Sequence, residues 1–170
     1  VFGYSGAIPQ LIKKCGMEYF MTTKISWNEY NKFPYDTFMW KGIDGTEVLS
    51  HFSPCEDANR DERKDYQTTY NAYLRPGYII GGNKRYSQKD LGRDYLCTFG
   101  FGDGGGGPST FHLESLKRIK NSEGFVPCEQ GYSIDMLDRI NADKDSYSKW
   151  IGELYLERHQ GTYTTQSRIK

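Results

Sequence analysis

Several features are scarce or missing in this sequence, and each absence disfavours a class of protein. No apolar run reaches the length that spans a membrane, and the start at Val1 lacks the pattern of a signal peptide. Basic and acidic residues balance at zero net charge and are scattered along the chain. A nucleic-acid-binding protein usually concentrates basic residues on one surface. We therefore expect neither a membrane nor a nucleic acid as a partner.

Cysteine is also sparse, and its spacing argues against two common uses. The four cysteines, Cys15, Cys55, Cys97 and Cys128, are at least 31 residues apart and form no C-x-x-C pair. This spacing disfavours a zinc knuckle and does not suggest a disulfide framework. We expect thiols in a reducing compartment, and therefore a cytoplasmic location.

Aromatic residues and glycine are abundant instead. The chain of 170 residues contains 14 Tyr, 9 Phe, 3 Trp and 19 Gly. Flat, amphipathic rings are suited to stacking on sugars or bases, although tyrosine-rich cores are also common. The length suits one domain with a sizeable core. Because the chain starts without methionine and ends without a closing element, we expect it to be a fragment.

The stretch 98–109 is the most informative part of the sequence, because it places one acid, Asp103, among six glycines. A predicted strand over 96–99 precedes it, and Ser109 or Thr110 is a suitable cap for the helix that follows. Strand, glycine loop and helix form the local layout of α/β enzymes, whose sites lie at the carboxyl ends of strands. Glycine also allows the backbone to approach a ligand closely.

Two other interpretations of this stretch are a floppy surface loop and a phosphate-binding loop. The phosphate interpretation is disfavoured because the loop has no Gly-Lys-Ser/Thr ending and no G-x-G-x-x-G spacing. An acid at its centre would also repel an anion. A carboxylate presented to a neutral, polar substrate fits the loop better.

The alternation of short strands with capped helices predicts an α/β fold with mostly parallel strands and flanking helices. Asp44-Gly45 predicts a two-residue hairpin turn as the exception. We expect a polar connection over 81–93. The predicted helices are 7–14, 61–73, 110–120 (apolar face Leu113, Leu116 and Ile119) and one capped by Ser133 (Ile134, Leu137 and Ile140), and the predicted strands are 17–21, 36–40, 47–52, 96–99, 125–127 and 150–156.

Five groups of residues occur in an order that is typical of one enzyme family. They are Phe2–Ser5 with Pro9 and Gln10, Thr23–Asn28, Asn31–Pro34 through Gly42–Gly45, the glycine loop, and Gly152–Glu157 with His159 and Gly161–Gln166. Together they resemble the catalytic domain of glycoside hydrolase family 38, the zinc-dependent α-mannosidases. The likeness is greatest to the branch of bacterial and cytosolic-type enzymes.

The resemblance implies a fold, a domain assignment and an activity. Residues 1–170 would be an incomplete part of a single catalytic domain, truncated at both ends, with 157–170 beginning the following helical region. The fold would be part of a distorted (β/α) barrel. The full-length parent would be a retaining glycoside hydrolase that removes α-linked mannose from glycans, and a homo-oligomer of that parent remains open.

The resemblance also assigns the chemistry. The family's nucleophile, an aspartate that also binds zinc, would stand immediately before Val1. The family's His-x-Asp zinc pair lies further upstream and its last zinc histidine lies downstream, so we expect no zinc ligand in this chain and zinc only in the full-length parent. Asp103 matches the family's general acid/base.

Six residues match positions that contact or line the sugar site. They are Phe2, Lys24, Trp27, Asn28, His51 and His159. Phe2 would pack against the sugar, and His51 and His159 would line opposite walls of the cleft. For each histidine, a strand-end residue held by the backbone is an equally weighted alternative, and for Trp27 packing within its loop is at least as common. His112 is expected to be structural.

Because Phe2, His51, Asp103 and His159 each follow a predicted strand, we expect them to converge on one concavity. Two other classes of function stay open from the sequence. One is a non-catalytic carbohydrate-binding or scaffold module that uses the aromatic residues. The other is a different metal-dependent sugar enzyme, such as a deacetylase.

Overall fold

A mixed sheet lies at the centre of the fold. The computed structural model describes residues 3–28, 30–58, 71–91, 94–102 and 105–157. Its strands are β1 (Tyr19–Thr22), β2 (Thr37–Lys41), β3 (Glu47–Phe52) and β4 (Lys149–Ile151), and they are ordered β1-β3-β2-β4. The pairs β1–β3 and β2–β4 are parallel, whereas β2–β3 is the antiparallel hairpin. The α/β class is confirmed, and two of the three pairings within the described residues are parallel.

The hairpin turn follows the sequence prediction. The Thr46 amide donates to Asp44 Oδ1 at 2.9 Å, and Gly45 has a φ of 89°. This left-handed conformation is strained for residues with a side chain, so glycine suits the position. Asp44-Gly45 therefore sets the register in which Lys41 pairs with Glu47.

The described residues also form four α-helices. They are α1 (Ile8–Lys14), α2 (Pro76–Arg85), α3 (Thr110–Ile119) and α4 (Ser133–Asn141), with short 3-10 helices at Lys24–Trp27 and Lys144–Ser146. The predicted helices at 7–14, 110–120 and from 133 are confirmed, except that Ser133 is the first residue of the last helix and Tyr132 is its N-cap. No helix within the described ranges is both long and apolar enough to cross a bilayer.

Both faces of the sheet are covered by apolar side chains. Phe38 and Trp40 point into a cluster on one face, and Met39, between them in β2, points into a cluster on the other. The first cluster also contains Ile25, Phe52, Leu154 and Leu156, and the second also contains Leu49, Met136, Leu137, Ile140 and Tyr147. The second cluster includes the buried side of α4, so this helix covers that face.

One predicted connection is a helix. The stretch predicted as a polar connection from residue 81 begins inside α2, which continues to Arg85. Three glycines in this helix argue against helix formation by propensity. Gly81 is required by packing, since a Cβ atom there would lie 2.1 Å from the carbonyl oxygen of Glu56. The close approach of α2 to the segment after β3 therefore explains a helix that propensity does not predict.

Several other predictions are wrong in detail. Residues 96–99 and 125–127 are not strands: Phe99 forms one isolated bridge with Ala72, and Phe125 and Val126 pack against a cluster formed largely by α2 and α3. The last strand ends at Ile151 instead of continuing to residue 156. The side chains of Leu113 and Ile134, predicted to face inward, are 40% and 49% exposed. The predicted helix 61–73 lies almost wholly outside the described residues.

Candidate functional site

The carboxyl ends of β1 and β3 meet at one edge of the sheet. Because these neighbouring strands are parallel, Thr22 pairs with Phe52 where both strands end. The Ser53 amide donates to the carbonyl oxygen of Thr22 at 3.3 Å, so the segments that leave the two strands start side by side. A third segment, residues 94–100, leads into the glycine loop and contacts this edge.

His51 joins this third segment to the sheet. The Leu96 amide donates to His51 Nε2 at 3.1 Å, and His51 Nδ1 lies 2.9 Å from Thr37 Oγ1. Since Nε2 accepts, a neutral ring carries its proton on Nδ1 and donates it to Thr37. Thr37 Oγ1 also lies 2.9 Å from the hydroxyl of Tyr86, the residue that follows α2. One imidazole therefore connects two strands, α2 and the approach to the glycine loop.

The environment of His51 keeps its ring neutral. The side chain has no exposed surface, and burial lowers its pKa from the ordinary 6.5 to about 3. Both nitrogens are occupied by contacts within the chain. These contacts favour the alternative in which His51 is a structural residue at the end of a strand.

Further hydrogen bonds hold the approach to the glycine loop. The Ser53 hydroxyl donates to the carbonyl oxygen of Leu96 at 2.8 Å. The Ala72 amide donates to Thr98 at 2.7 Å, and the Gly100 amide donates back to Ala72 at 3.2 Å. The backbone of 96–100 is thus held by side chains and by one residue of another loop, which explains why an apolar run there forms no strand.

The base of the glycine loop is a closed turn. Phe101 and Gly107 exchange two backbone hydrogen bonds of 2.8 and 3.1 Å. Gly100, with a φ of 116°, has room for no side chain, since a Cβ atom there would lie 2.7 Å from the carbonyl carbon of Gly107. This close backbone approach requires glycine and gives the described part of the loop a defined shape.

His112 packs against both sides of this turn. Its Nδ1 accepts a hydrogen bond from the Ser109 amide at 3.1 Å, and its ring lies 5.1 Å from that of Phe101 and 5.7 Å from that of Tyr73. The imidazole is fully buried. Nε2 has no hydrogen-bond partner in the described part of the chain. His112 therefore has the structural surroundings that the sequence predicted for it.

Asn28 connects the motif Thr23–Asn28 to the motif Gly152–Glu157. Its amide nitrogen donates to the carbonyl oxygens of Asn31 and Tyr155 at 3.1 and 2.9 Å, and its Oδ1 accepts from the Glu157 amide at 2.9 Å. Glu157 in turn accepts from the amide of Tyr30 at 3.0 Å. The side chain of Asn28 is 8% exposed and holds the segment after β1 against the segment after β4.

The structure covers only part of the predicted site. Phe2, Asp103 and His159 lie outside the described residues, as does the side chain of Trp27, so the expected convergence stays a prediction. Lys24 begins the 3-10 helix after β1 and is half-buried. Asn28 and Lys24 follow β1 and His51 lies near the end of β3, so these three belong to the same edge of the sheet.

A buried acid at this edge carries no recognisable signal in the sequence. Asp36, immediately before β2, is 8% exposed, and its Oδ2 accepts from the amide and hydroxyl of Ser87, both at 2.8 Å. Burial raises the pKa of Asp36 above its ordinary value, and the hydrogen bonds from Ser87 oppose that rise. An isolated acid before a strand has no motif, so only the fold reveals its pairing with a residue about fifty positions away.

No metal centre is found among the residues that the structure describes. No group of three or more His, Cys, Asp or Glu side chains there is arranged to hold an ion. The family resemblance assigns its zinc ligands to positions outside this chain, so zinc stays a prediction for the complete protein.

Comparisons with known proteins agree with the motifs. The family description "Glycosyl hydrolases family 38 N-terminal domain" matches residues 1–153. The chain is 37% identical over 169 residues to "Alpha-mannosidase G" of Dictyostelium discoideum and to "Alpha-mannosidase 2C1" of Homo sapiens. It is 37% identical over 179 residues to "Alpha-mannosidase" of Saccharomyces cerevisiae. Each alignment covers 99% of this chain but only 14 to 15% of the relative.

These matches establish the class and the family. The chain is glycosyl hydrolase sequence over nearly its whole length. It belongs to glycosyl hydrolase family 38, as its motifs predicted.

Proposed function

We propose that the complete protein containing this chain is a retaining α-mannosidase, and that this chain supplies the loop with its general acid/base. Family membership and the names of the relatives support a glycoside hydrolase that acts on mannose. The single observation that favours a role for the glycine loop is its closed base, where the paired backbones of Phe101 and Gly107 leave no room for a side chain at Gly100.

The proposed chemistry uses two carboxyl groups about 5 Å apart. Asp103 protonates the glycosidic oxygen as the bond to the leaving group breaks, while a carboxylate outside this chain attacks C1 of the mannose. In the second step Asp103 removes a proton from the water that releases the sugar. An acid with this role needs a raised pKa, and the negative charge of the second carboxylate beside it is the proposed cause.

Of the six sugar-site residues, Phe2, Trp27 and His159 are assigned by the family resemblance alone, because their side chains lie outside the described residues. The proposed sugar contacts are Phe2, Lys24, Trp27 and His159. The buried, backbone-bonded side chains of Asn28 and His51 favour a positioning role, in which they hold the segments that line the site. We also propose a cytoplasmic location, on the basis of the cysteine spacing, and zinc bound by residues outside this chain.

The test is hydrolysis by the complete protein. We expect release of aryl leaving groups from α-mannosides at a rate well above that from β-mannosides or α-glucosides. Proton NMR during the first turnovers should show α-mannose as the first product, because a double displacement retains the anomeric configuration. β-Mannose as the first product would contradict the retaining mechanism, and binding without turnover would favour the carbohydrate-binding alternative.

A further inference from the structure

Two thiols are in contact where the segment after β3 meets residues 94–100, which lead into the glycine loop. Cys55 follows β3 and is 1% exposed, and Cys97 lies in the segment that leads to the loop. Their sulfur atoms are 3.4 Å apart. Cys55 Sγ also lies 3.0 Å from Ser53 Oγ and 3.7 Å from the carbonyl oxygen of Thr98. We propose that Cys55 and Cys97 form a redox modification site, at which a hydroperoxide converts the two thiols into a reversible disulfide.

The fold holds the two sulfur atoms together independently of any bond between them. Just before the two thiols in sequence, the Ser53 hydroxyl donates to the Leu96 carbonyl oxygen and the Leu96 amide donates to His51. A disulfide requires sulfurs about 2.05 Å apart, which two side chains already in contact reach by small rotations. The reaction therefore has the advantage of a preformed intramolecular encounter.

The electrostatics of the pair favour attack by Cys55. The contact with the Cys97 thiol, opposed by burial and aided by Ser53 and Thr98, lowers the pKa of Cys55 to about 7. The same contact, together with burial, raises the pKa of Cys97. One thiolate and one thiol side by side are the reactants that the two steps require.

The two steps balance as follows. The Cys55 thiolate attacks the outer oxygen of the hydroperoxide, the O–O bond breaks, and the released alkoxide takes a proton to leave as an alcohol. Cys55 is then a sulfenic acid. The Cys97 sulfur attacks the Cys55 sulfur, the S–O bond breaks, and the hydroxyl leaves with the Cys97 proton as water. Two thiols lose two electrons, the peroxide gains them, and a dithiol reductant reverses the change.

The consequence is a covalent link between the segment after β3 and the segment before the glycine loop. Cys97 is three residues before Gly100, where the backbone conformation of the loop base begins. The disulfide would restrain this base against the sheet edge. This inference goes beyond the proposed function and does not depend on it, because the bond is detected without any measurement of activity.

Peptide mapping of the complete protein tests the proposal. Trypsin separates the four cysteines of this chain into the peptides 15–24, 42–60, 94–117 and 121–139. The reduced, folded protein is treated with hydrogen peroxide, its remaining thiols are alkylated, and it is digested without reductant. We expect 42–60 joined to 94–117, with a combined mass about 2 Da below their sum because two hydrogens leave. Dithiothreitol should release both peptides.

Controls connect the bond to the folded geometry. Cys128→Ser, which changes a third cysteine packed on the same cluster, should leave the link intact, whereas Cys97→Ser should abolish it. In urea the yield of the Cys55–Cys97 disulfide relative to other disulfides should fall at least about ten-fold, because unfolding removes the preformed contact between the thiols. Recovery of both peptides without the link from the folded wild-type protein would overturn the proposal, as would Cys55 joined mainly to Cys15 or Cys128. The wild-type result decides the matter even if a variant fails to fold.

Discussion

Replacing His51 with phenylalanine should release the approach to the glycine loop. Phenylalanine keeps a buried ring but removes the acceptor for the Leu96 amide and the donor to Thr37. Each hydrogen bond contributes about 0.5–1.5 kcal/mol, and a buried group left unsatisfied costs about 1–3 kcal/mol. We expect a combined loss of about 2–4 kcal/mol at pH 7.

The assay is hydrogen exchange at the Leu96 amide in the complete protein. A loss of 2–4 kcal/mol corresponds to roughly 30- to 1000-fold lower protection in His51→Phe, if this amide exchanges through opening of the segment. His51→Gln is the matched control, because its side-chain oxygen reaches the position of Nε2 and accepts from Leu96. We expect protection in the glutamine variant to lie much closer to wild type. Equal protection in the phenylalanine variant and wild type would refute the assigned hydrogen bond.

The same residue should make stability depend on pH. Because the folded pKa of His51 is about 3 and its ordinary value is 6.5, the unfolded chain binds a proton in this range that the folded chain does not. The stability that His51 contributes is therefore complete above pH 6.5 and falls as the pH decreases toward 3. Between pH 7 and pH 5 the free energy of unfolding of the wild-type protein should fall by about 2 kcal/mol more than that of His51→Phe. A gap between the two proteins that stays constant from pH 7 to 5 would contradict a buried, neutral His51.

Three further substitutions test other contacts. Gly100→Ala should lower the proposed mannosidase activity and the melting temperature of the complete protein, because its Cβ atom would lie 2.7 Å from the backbone at Gly107. Gly131→Ala, with its nearest contact at 3.9 Å, should change neither. Asp36→Asn should become more stable relative to wild type as the pH rises above 3.8, because the raised pKa of Asp36 in the folded protein means that folding disfavours its charged form. Urea titrations measure the two free energies of unfolding, and a difference between them that does not change with pH would contradict this. Asn28→Ala should expose the Glu157 amide to hydrogen exchange; unchanged protection there would contradict a positioning role.

Local patterns predicted much of this fold. The Asp44-Gly45 turn and α4 are set by neighbours in sequence, through turn chemistry and apolar spacing. The glycines of α2 disfavour a helix by propensity, so local pattern does not predict it. Gly81 is there because the helix packs closely against the segment after β3. The strand at 96–99 was wrongly predicted because its backbone groups bond to His51, Ser53 and a single residue of another loop.

The candidate site shows the same division between local and distant information. The glycine loop is recognisable because its composition reflects a backbone requirement at Gly100 that acts within eight residues. The partners of His51, Asp36 and Cys55 lie about 40 to 50 residues away in sequence. No periodicity or motif encodes such pairs, since they depend on how the strands and α2 assemble. Family resemblance supplied roles for residues, but the contacts of Asn28 and His51 came only from the fold.

Asp103 is the proposed acid/base of a mannosidase, and hydrolysis of two substrates by the Asp103→Asn variant of the complete protein tests that role. Hydrolysis of a natural mannoside should slow by roughly 10²–10⁴-fold, the usual contribution of general acid–base catalysis. Glycosylation by an activated aryl mannoside should suffer far less, because its leaving group needs no proton. Metal content and melting temperature should match wild type, as they should for Asp90→Asn, an exposed control. Equal loss on both substrates with a lowered melting temperature would contradict the account and leave the glycine loop with a structural role alone.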